Sequence, residues 1–199
     1  ETMKRLEKAI EAIKKNKKIK KFSVVVLNGD LKDDFGRISE TEWRHALRFF
    51  DYLATITKRI VIVKGNHDVS IGPLARKRNI ELADFYFFEI KRPPLKDIHY
   101  KKFKNNSIEP LKILVIHGDS LPSESCLKKA DLIIIGHIHP AVRIRDKVRT
   151  ELYKCYLAGT FRRKTLIVQP SANVATEGTN VLEERSKSPF LTDAFLRSC

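Results

Sequence analysis

The sequence of 199 residues has few cysteines and no long apolar segment. Cys126, Cys155 and Cys199 are odd in number and form no Cys-x-x-Cys pair, which argues against a disulfide framework or a cysteine zinc knuckle. The longest apolar runs fall far short of the ~20 residues that span a bilayer. No signal-peptide pattern opens the chain. These absences predict a cytoplasmic protein without a membrane span.

Positive charge is in large excess. Lys and Arg total 39, Asp and Glu total 24, and the net charge is +15. Such a charge favours anionic partners, among them nucleic acid, nucleotides and lipid surfaces, although solubility alone is an equally good explanation. Hydrophobic residues make up 42% of the chain, which excludes a disordered protein. The length predicts a single domain over residues 1–199.

Hydrophobic patterning predicts alternating helices and strands. Helices are expected over Glu1–Lys21 and after a capping box at Ser39 and Glu42. Four apolar runs predict buried strands: Phe22–Leu27, Ile60–Val63, Leu111–Ile116 and Leu132–Ile135. Phe85–Ile90 is expected to form an aromatic strand, and a core role for Phe85–Phe88 is favoured over a base-stacking platform. A late hairpin is expected from Tyr153–Leu157 and Thr165–Val168, and a loop over Pro170–Asn180.

Each of the four buried strands ends in polar residues that suit metal binding. The candidates are Asp30, Asn66, His67, Asp68, His117, His137 and His139. Because ligands bind outside the carboxyl ends of strands in α/β sheets, we expect these clusters to meet at one edge. Carboxylate, amide and imidazole groups suit Mn²⁺, Fe²⁺ or Zn²⁺, and a carboxylate can bridge two ions. A single histidine would more simply be a core residue, but the repetition after successive strands favours a metal site.

The order of these motifs resembles a known family. Gly29-Asp30, Gly65–Asp68, His117–Asp119 and Gly136–Pro140 resemble the calcineurin-type metallophosphoesterases, and with Pro170–Asn173 they resemble small archaeal phosphoesterases. The resemblance implies an α/β fold, a four-layer αββα sandwich with two mixed β-sheets flanked by helices. It also implies that the site binds two divalent ions. Mn²⁺ is the favoured metal, and Fe²⁺, Zn²⁺, Ni²⁺ or Mg²⁺ are the alternatives. The implied activity is phosphoester hydrolysis, by a phosphodiesterase or nuclease, or by a phosphatase acting on a small nucleotide.

The resemblance also implies a role for each candidate. Asp30 resembles the bridging carboxylate. Asn66, His117 and His137 resemble ligands of one ion, and His139 a ligand of the other. His67 resembles the catalytic histidine that protonates or stabilises the leaving oxygen, with Asp68 orienting it. A hydroxide bridging both ions would attack phosphorus in line.

One family feature is missing. The family opens with a strand that ends in Asp-x-His, and no such pair precedes Asp30. Asp97-Ile98-His99 stands in the wrong order and is interpreted as coincidence. We expect the opening strand to lie before Glu1. The alternative is that one metal site lacks its Asp-x-His ligands and is defective. Asp33 is a weaker candidate metal contact.

Other functions stay open at this point. Arg143 and Arg145 follow the last histidine motif and are predicted to steer a phosphoester substrate. A non-catalytic scaffold on the same fold is the main alternative, and a nucleic-acid-binding module with structural metals is another. The sequence does not fix an oligomeric state.

Overall fold

The computed structural model describes residues 1–31, 40–68, 71–91, 109–146, 148–184 and 188–199. Four of the sequence predictions concern positions outside the described residues: Ser39, Asp33, Asp97–His99 and the side chain of Glu42. Within the described part, the helices are α1 (Thr2–Lys17), α2 (Glu40–Ile56), α3 (Gly72–Lys77), α4 (Glu124–Lys129) and α5 (Asp193–Leu196). None of these helices is long and apolar enough to cross a membrane.

The described strands form three sheets. In chain order they are β1 (Val25–Asn28), β2 (Ile60–Val63), β3 (Glu81–Ala83), β4 (Phe85–Ile90), β5 (Leu111–Ile116), β6 (Leu132–Ile135), β7 (Pro140–Arg145), β8 (Thr150–Lys154), β9 (Leu157–Phe161), β10 (Lys164–Val168) and β11 (Thr179–Asn180). The spatial orders are β1-β2-β3, β4-β5-β6-β10-β9 and β11-β7-β8.

The predicted α/β class is confirmed, and the sheets differ in detail from the expected pair. The first sheet is entirely parallel, whereas the second combines parallel β5-β6-β10 with antiparallel β4 and β9. The third sheet exists because the chain turns sharply after β6. His137 and His139 both have positive φ, and β7 therefore leaves the second sheet and pairs with β8 and β11.

Helices α1, α2 and α3 cover the first sheet. Their amphipathic stripes bury Phe50 and Leu74 against Ile62 of β2, and Ile10 against Leu53. Side chains alternate along a strand, so Val61 and Val63 lie on the face opposite Ile62, and both are fully buried as well. With both faces packed, β2 holds the loop that follows it in a fixed position.

A second core fixes the strands that carry the histidine motifs. Leu114 of β5, Ile133 of β6 and Leu166 of β10 are completely buried in it. The Phe161 and Phe190 rings pack beside them with centroids 5.0 Å apart. The carboxyl ends of β5 and β6 are therefore held side by side by close packing.

The first helix and strand are shorter than predicted. Helix α1 ends at Lys17 because Lys18 adopts the left-handed conformation (φ 52°) and closes the helix. Strand β1 begins at Val25 and is half-buried along its length, not fully buried. It is an edge strand among the described residues, so one side of its backbone lacks a neighbour.

The late hairpin is confirmed with a corrected first strand. It joins β9 and β10 through Arg162 and Arg163, both with positive φ, the geometry that suits a two-residue hairpin turn. Tyr153 instead belongs to β8, where it pairs with Val142. The predicted loop over Pro170–Asn180 holds except for the short strand β11.

Candidate metal centre

Four strand ends bring four predicted ligands to one point. The Nε2 atom of His117 lies 3.1 Å from Asp30 Oδ2, 3.2 Å from Asn66 Oδ1 and 3.1 Å from His137 Nδ1. The ligand atoms of Asp30, His117 and His137 all lie within 4.8 Å of one another. These residues follow β1, β2, β5 and β6, so the expected convergence at the carboxyl ends of the strands is what the structure has.

A hydrogen bond to the backbone orients His117. Its Nδ1 donates to the carbonyl of Asn28 at 3.3 Å, since a carbonyl oxygen can only accept. The neutral ring therefore carries its lone pair on Nε2, which faces the other three ligand atoms. The same arrangement, with one ring nitrogen bonded to a carbonyl, orients metal-bound histidines in general. His117 is 1% exposed, so packing also restrains its ring.

Backbone strain concentrates at the site. Asp30 (φ 51°), His137 (φ 41°) and His139 (φ 50°) all adopt the left-handed conformation that non-glycine residues seldom take. Such conformations cost ~1–3 kcal/mol each and persist where function requires a side chain in an unusual direction.

The glycines beside the ligands allow close approach. A Cβ atom at Gly65 would lie 2.5 Å from the amide nitrogen of Asp30, and one at Gly29 would lie 2.8 Å from the Cα atom of Gly65. Real Cβ contacts are essentially never that short, so the loops after β1 and β2 can approach each other only with glycine at these positions.

Charge is shared between Asp30 and His117. Burial alone would raise the pKa of Asp30, but the hydrogen bond and charge of His117 outweigh it, and the pKa lies below its usual value. Burial would lower the pKa of His117, but the carboxylate of Asp30 raises it overall. Burial lowers the pKa of His137, and the charge of His117 adds to that effect. In the metal-free chain each group therefore favours the charged form of the other.

His67 and Asp68 lie beside the cluster. The backbone amide of His67 donates to Asp30 Oδ1 at 3.1 Å. Asp68 is 2% exposed, and its carboxylate accepts the amides of Leu31 at 2.9 Å and Gly65 at 3.0 Å. Burial raises the pKa of Asp68 despite these bonds. Asp68 therefore ties the loop after β1 to the loop after β2, and its predicted support of the His67 ring stays a prediction.

His139 lies near the cluster but outside its closest group. Its Nδ1 is buried and has no hydrogen-bond partner within the described part of the chain. Burial lowers its pKa, the charge of Asp30 opposes that effect, and the charge of His117 adds to it. A buried imidazole nitrogen without a partner is a suitable ligand atom for a cation.

The predicted steering arginines are not brought to the centre. β7 runs away from His139 at ~3.3 Å per residue. Arg143 is exposed and pairs with Glu183, and Arg145 Nε donates to Thr150 Oγ1 at 3.4 Å. Their contact with substrate stays a prediction.

A cavity of about 460 Å³ opens beside the metal ligands. Asn66 and His117 form one wall. The remaining lining includes residues that sequence reasoning did not select as site residues: Lys64, Asp84, Phe85, Asp119, Ser120 and Ser123. The charge of Asp119 adds to the rise in the pKa of His117 and opposes the fall in the pKa of His137. Its position directly after the His117-Gly118 turn was the signal that could have identified it.

The ligand set suits a divalent cation. The carboxylate oxygen of Asp30 and the amide oxygen of Asn66 both face His117 Nε2, and a single N–H group there could donate fully to only one of them. A carboxylate, an amide oxygen and two imidazoles around one point would repel one another without positive charge, and they match the ligand preferences of Mn²⁺, Fe²⁺ and Zn²⁺.

Comparison with known proteins identifies the family. Residues 2–141 match the family of calcineurin-like phosphoesterases, and the chain belongs to this family. No curated protein matches the sequence.

Three solved structures are similar to this chain to different degrees. A nuclease MPE from Pseudomonas putida is similar with a TM-score of 0.50 and 13% identity, over 82% of this chain and 64% of the nuclease. This chain thus spans less than two thirds of that protein. A single mutant of Vps29 from Entamoeba histolytica has a TM-score of 0.37 and 15% identity, over 78% of this chain and 79% of the other. Vacuolar Protein Sorting 29 from Cryptosporidium parvum has a TM-score of 0.36 and 17% identity, over 84% of this chain and 80% of the other.

Proposed function

We propose that this protein is a metal-dependent phosphoester hydrolase, of the phosphodiesterase or nuclease type, with phosphatase activity on a small nucleotide as the nearer alternative. Membership of the calcineurin-like phosphoesterases supports the reaction class. The observation that carries the proposal is the convergence of Asp30, Asn66 and His137 around His117 Nε2.

The proposed centre takes two divalent ions, with Mn²⁺ as the first choice. Asp30, Asn66, His117 and His137 would hold one ion, and Asp30 with His139 would contribute to the other. Such ions activate water and offset negative charge on the phosphoryl oxygens.

We propose that an additional strand, which carries Asp-x-His ligands, pairs with the edge of β1 that has no neighbour within the described residues. With that strand, residues 1–199 would form one metallophosphoesterase domain. The predicted cytoplasmic location and the kinship with small archaeal phosphoesterases stay predictions.

Two of the protein's own side chains would assist departure of the leaving group. His67 stands beside Asp30, and its backbone is fixed because its amide donates to the Asp30 carboxylate. We propose that its side chain protonates or stabilises the leaving oxygen. The Asp68 carboxylate would keep the loop that carries His67 in place through its bonds to Leu31 and Gly65.

The proposed substrate class is anionic. The excess positive charge raises the local concentration of polyanions, and Arg143 and Arg145 would act in steering at longer range. Nucleic acids and nucleotides meet this description, and both contain the phosphoester bond that the centre would cleave.

Hydrolysis of bis-p-nitrophenyl phosphate by the Mn²⁺-loaded protein tests the proposal. We expect turnover in wild type and a loss of about 10²–10⁴-fold in His67→Ala. His45→Ala is the matched control, because His45 is exposed on α2 and should leave turnover unchanged. Absence of hydrolysis with every one of the five divalent metals would reject the proposal.

A non-catalytic scaffold is the second candidate. It is favoured by one observation: within the described residues, His139 lies outside the group formed by Asp30, His117 and His137. Elemental analysis after dialysis against micromolar Mn²⁺ separates the candidates. Metal bound to the chain supports the hydrolase, and a metal-free chain supports the scaffold.

A further inference from the structure

The cavity beside the metal centre has an aromatic wall. Phe85, the first residue of β4, lines the cavity together with Asn66 and His117, and its side chain is 44% exposed. The sequence alone favours a core role for this aromatic run. Phe87, two residues along the same face, does pack against the buried core, whereas Phe85 stands at the open end of that face.

Backbone pairing and ring packing hold Phe85 in place. It pairs with Ile116 of β5, the residue directly before His117. Its ring meets the Phe87 ring edge to face, with centroids 5.8 Å apart. Phe85 is thus a partly exposed aromatic residue that the strand pairing fixes beside the candidate ligand His117.

The remaining walls are polar. Lys64 and Asp84 form an ion pair at 2.7 Å on the rim. Asp119, Ser120 and Ser123 line the cavity with a carboxylate and two hydroxyl groups. Ser123 Oγ also accepts the amide of Cys126, so it caps α4 and is fixed in direction. The cavity volume of about 460 Å³ lies within the range of ~300–1,000 Å³ that is common for small-molecule sites.

We propose that this cavity is a nucleoside subsite in which a nucleobase stacks on Phe85 while the attached phosphate lies at the metal ligands. The inference rests on the proposed phosphoester hydrolase and assigns its substrate class as nucleotides or nucleic-acid ends. Stacking on an aromatic ring accepts any base, since every base has a π-face. The Asp119 carboxylate would accept hydrogen bonds from sugar hydroxyl groups, and the phosphate would point towards Asn66 and His117.

Binding of two phosphate esters to the Mn²⁺-loaded protein tests the subsite without requiring turnover. AMP and ribose 5-phosphate carry the same phosphate and sugar, and only AMP has a base. In isothermal titration calorimetry we expect AMP to bind about 5- to 150-fold more tightly, the range that one stacked base contributes.

Variants of Phe85 isolate the aromatic contact. Phe85→Leu keeps an apolar side chain in the strand and should remove most of the preference for AMP, with ribose 5-phosphate unchanged. Phe85→Trp should retain the preference. Ile90→Ala is the matched control, because Ile90 lies at the other end of β4 with similar exposure (40%) and should bind both ligands as wild type does.

The outcomes separate the subsite from the hydrolase. Equal binding of AMP and ribose 5-phosphate by wild type, or an equal loss of both in Phe85→Leu, overturns the nucleoside subsite. If that happens while bis-p-nitrophenyl phosphate is hydrolysed, the hydrolase stands and the subsite is wrong. A selective loss of AMP binding in Phe85→Leu without hydrolysis of any ester supports the subsite and rejects the hydrolase.

Discussion

Substituting Gly65 by alanine should disable the metal centre although Gly65 is not itself a ligand. The added Cβ atom would lie 2.5 Å from the amide nitrogen of Asp30 and 3.0 Å from its carboxylate carbon. Comfortable contacts between such atoms are ~3.5–4.0 Å, so Asp30 must move by about 1 Å. That movement would break the contact of Asp30 with His117 Nε2 and its bond from the His67 amide.

The size of the effect follows from these contacts. Forcing a methyl group into a well-packed region costs about 1–3 kcal/mol of the free energy of unfolding. A binding constellation tolerates displacements of only ~0.5 Å, so a shift of about 1 Å should weaken Mn²⁺ binding by about 10- to 100-fold. Calorimetry measures the change in Mn²⁺ affinity, and urea unfolding separately measures the change in the free energy of unfolding.

Gly72→Ala is the matched control for the glycine change. A Cβ atom at Gly72 would approach only Arg76 Nη1, at an ordinary 3.5 Å, in the first turn of α3. We expect stability within about 0.5 kcal/mol of wild type and unchanged Mn²⁺ affinity. If Gly65→Ala bound Mn²⁺ with wild-type affinity, the close approach of the two loops would not be what positions Asp30, and the reasoning would be refuted.

Three further predictions concern the same loops and ligands. Asp68→Ala leaves two backbone amides without their acceptor and should lower the free energy of unfolding by about 1–3 kcal/mol in urea titrations; unchanged stability would contradict the bracing role. Since Asp30 raises the pKa of His117 in the metal-free chain, Mn²⁺ should displace a proton, and its affinity should fall as the pH falls through that pKa. Calorimetry in two buffers of different ionisation enthalpy measures the protons released, and zero release would contradict competition between Mn²⁺ and the proton of His117. Mn²⁺ at a hundredfold excess over its Kd should raise the stability by about 2.7 kcal/mol, and His117→Ala should abolish this gain; an equal gain in the variant would point to a different binding site.

The convergence of ligands could be predicted from the sequence because it follows from chain direction. Apolar runs that end at Asp30, Asn66 and His117 predict strands, and strands joined by helices run parallel with their carboxyl ends at one edge. The left-handed backbone conformation of Asp30 and His137 could not be predicted in this way, because it depends on how the loops meet in space.

Burial and register were harder to predict than the order of elements. The half-burial of β1 depends on its edge position, which local sequence does not encode. The cavity wall at Phe85 depends on its pairing with Ile116, a residue far along the chain. The segment that begins at Tyr153 has the apolar pattern expected of either strand. Its pairing with Val142 of β7 is what assigns Tyr153 to β8 and not to the late hairpin.

Anomalous diffraction from crystals grown with Mn²⁺ would show whether these four strand ends hold a cation. We expect a strong manganese peak within about 2.3 Å of ligand atoms from Asp30, Asn66, His117 and His137. A peak bound by other residues, or none where these four side chains meet, would contradict this expectation.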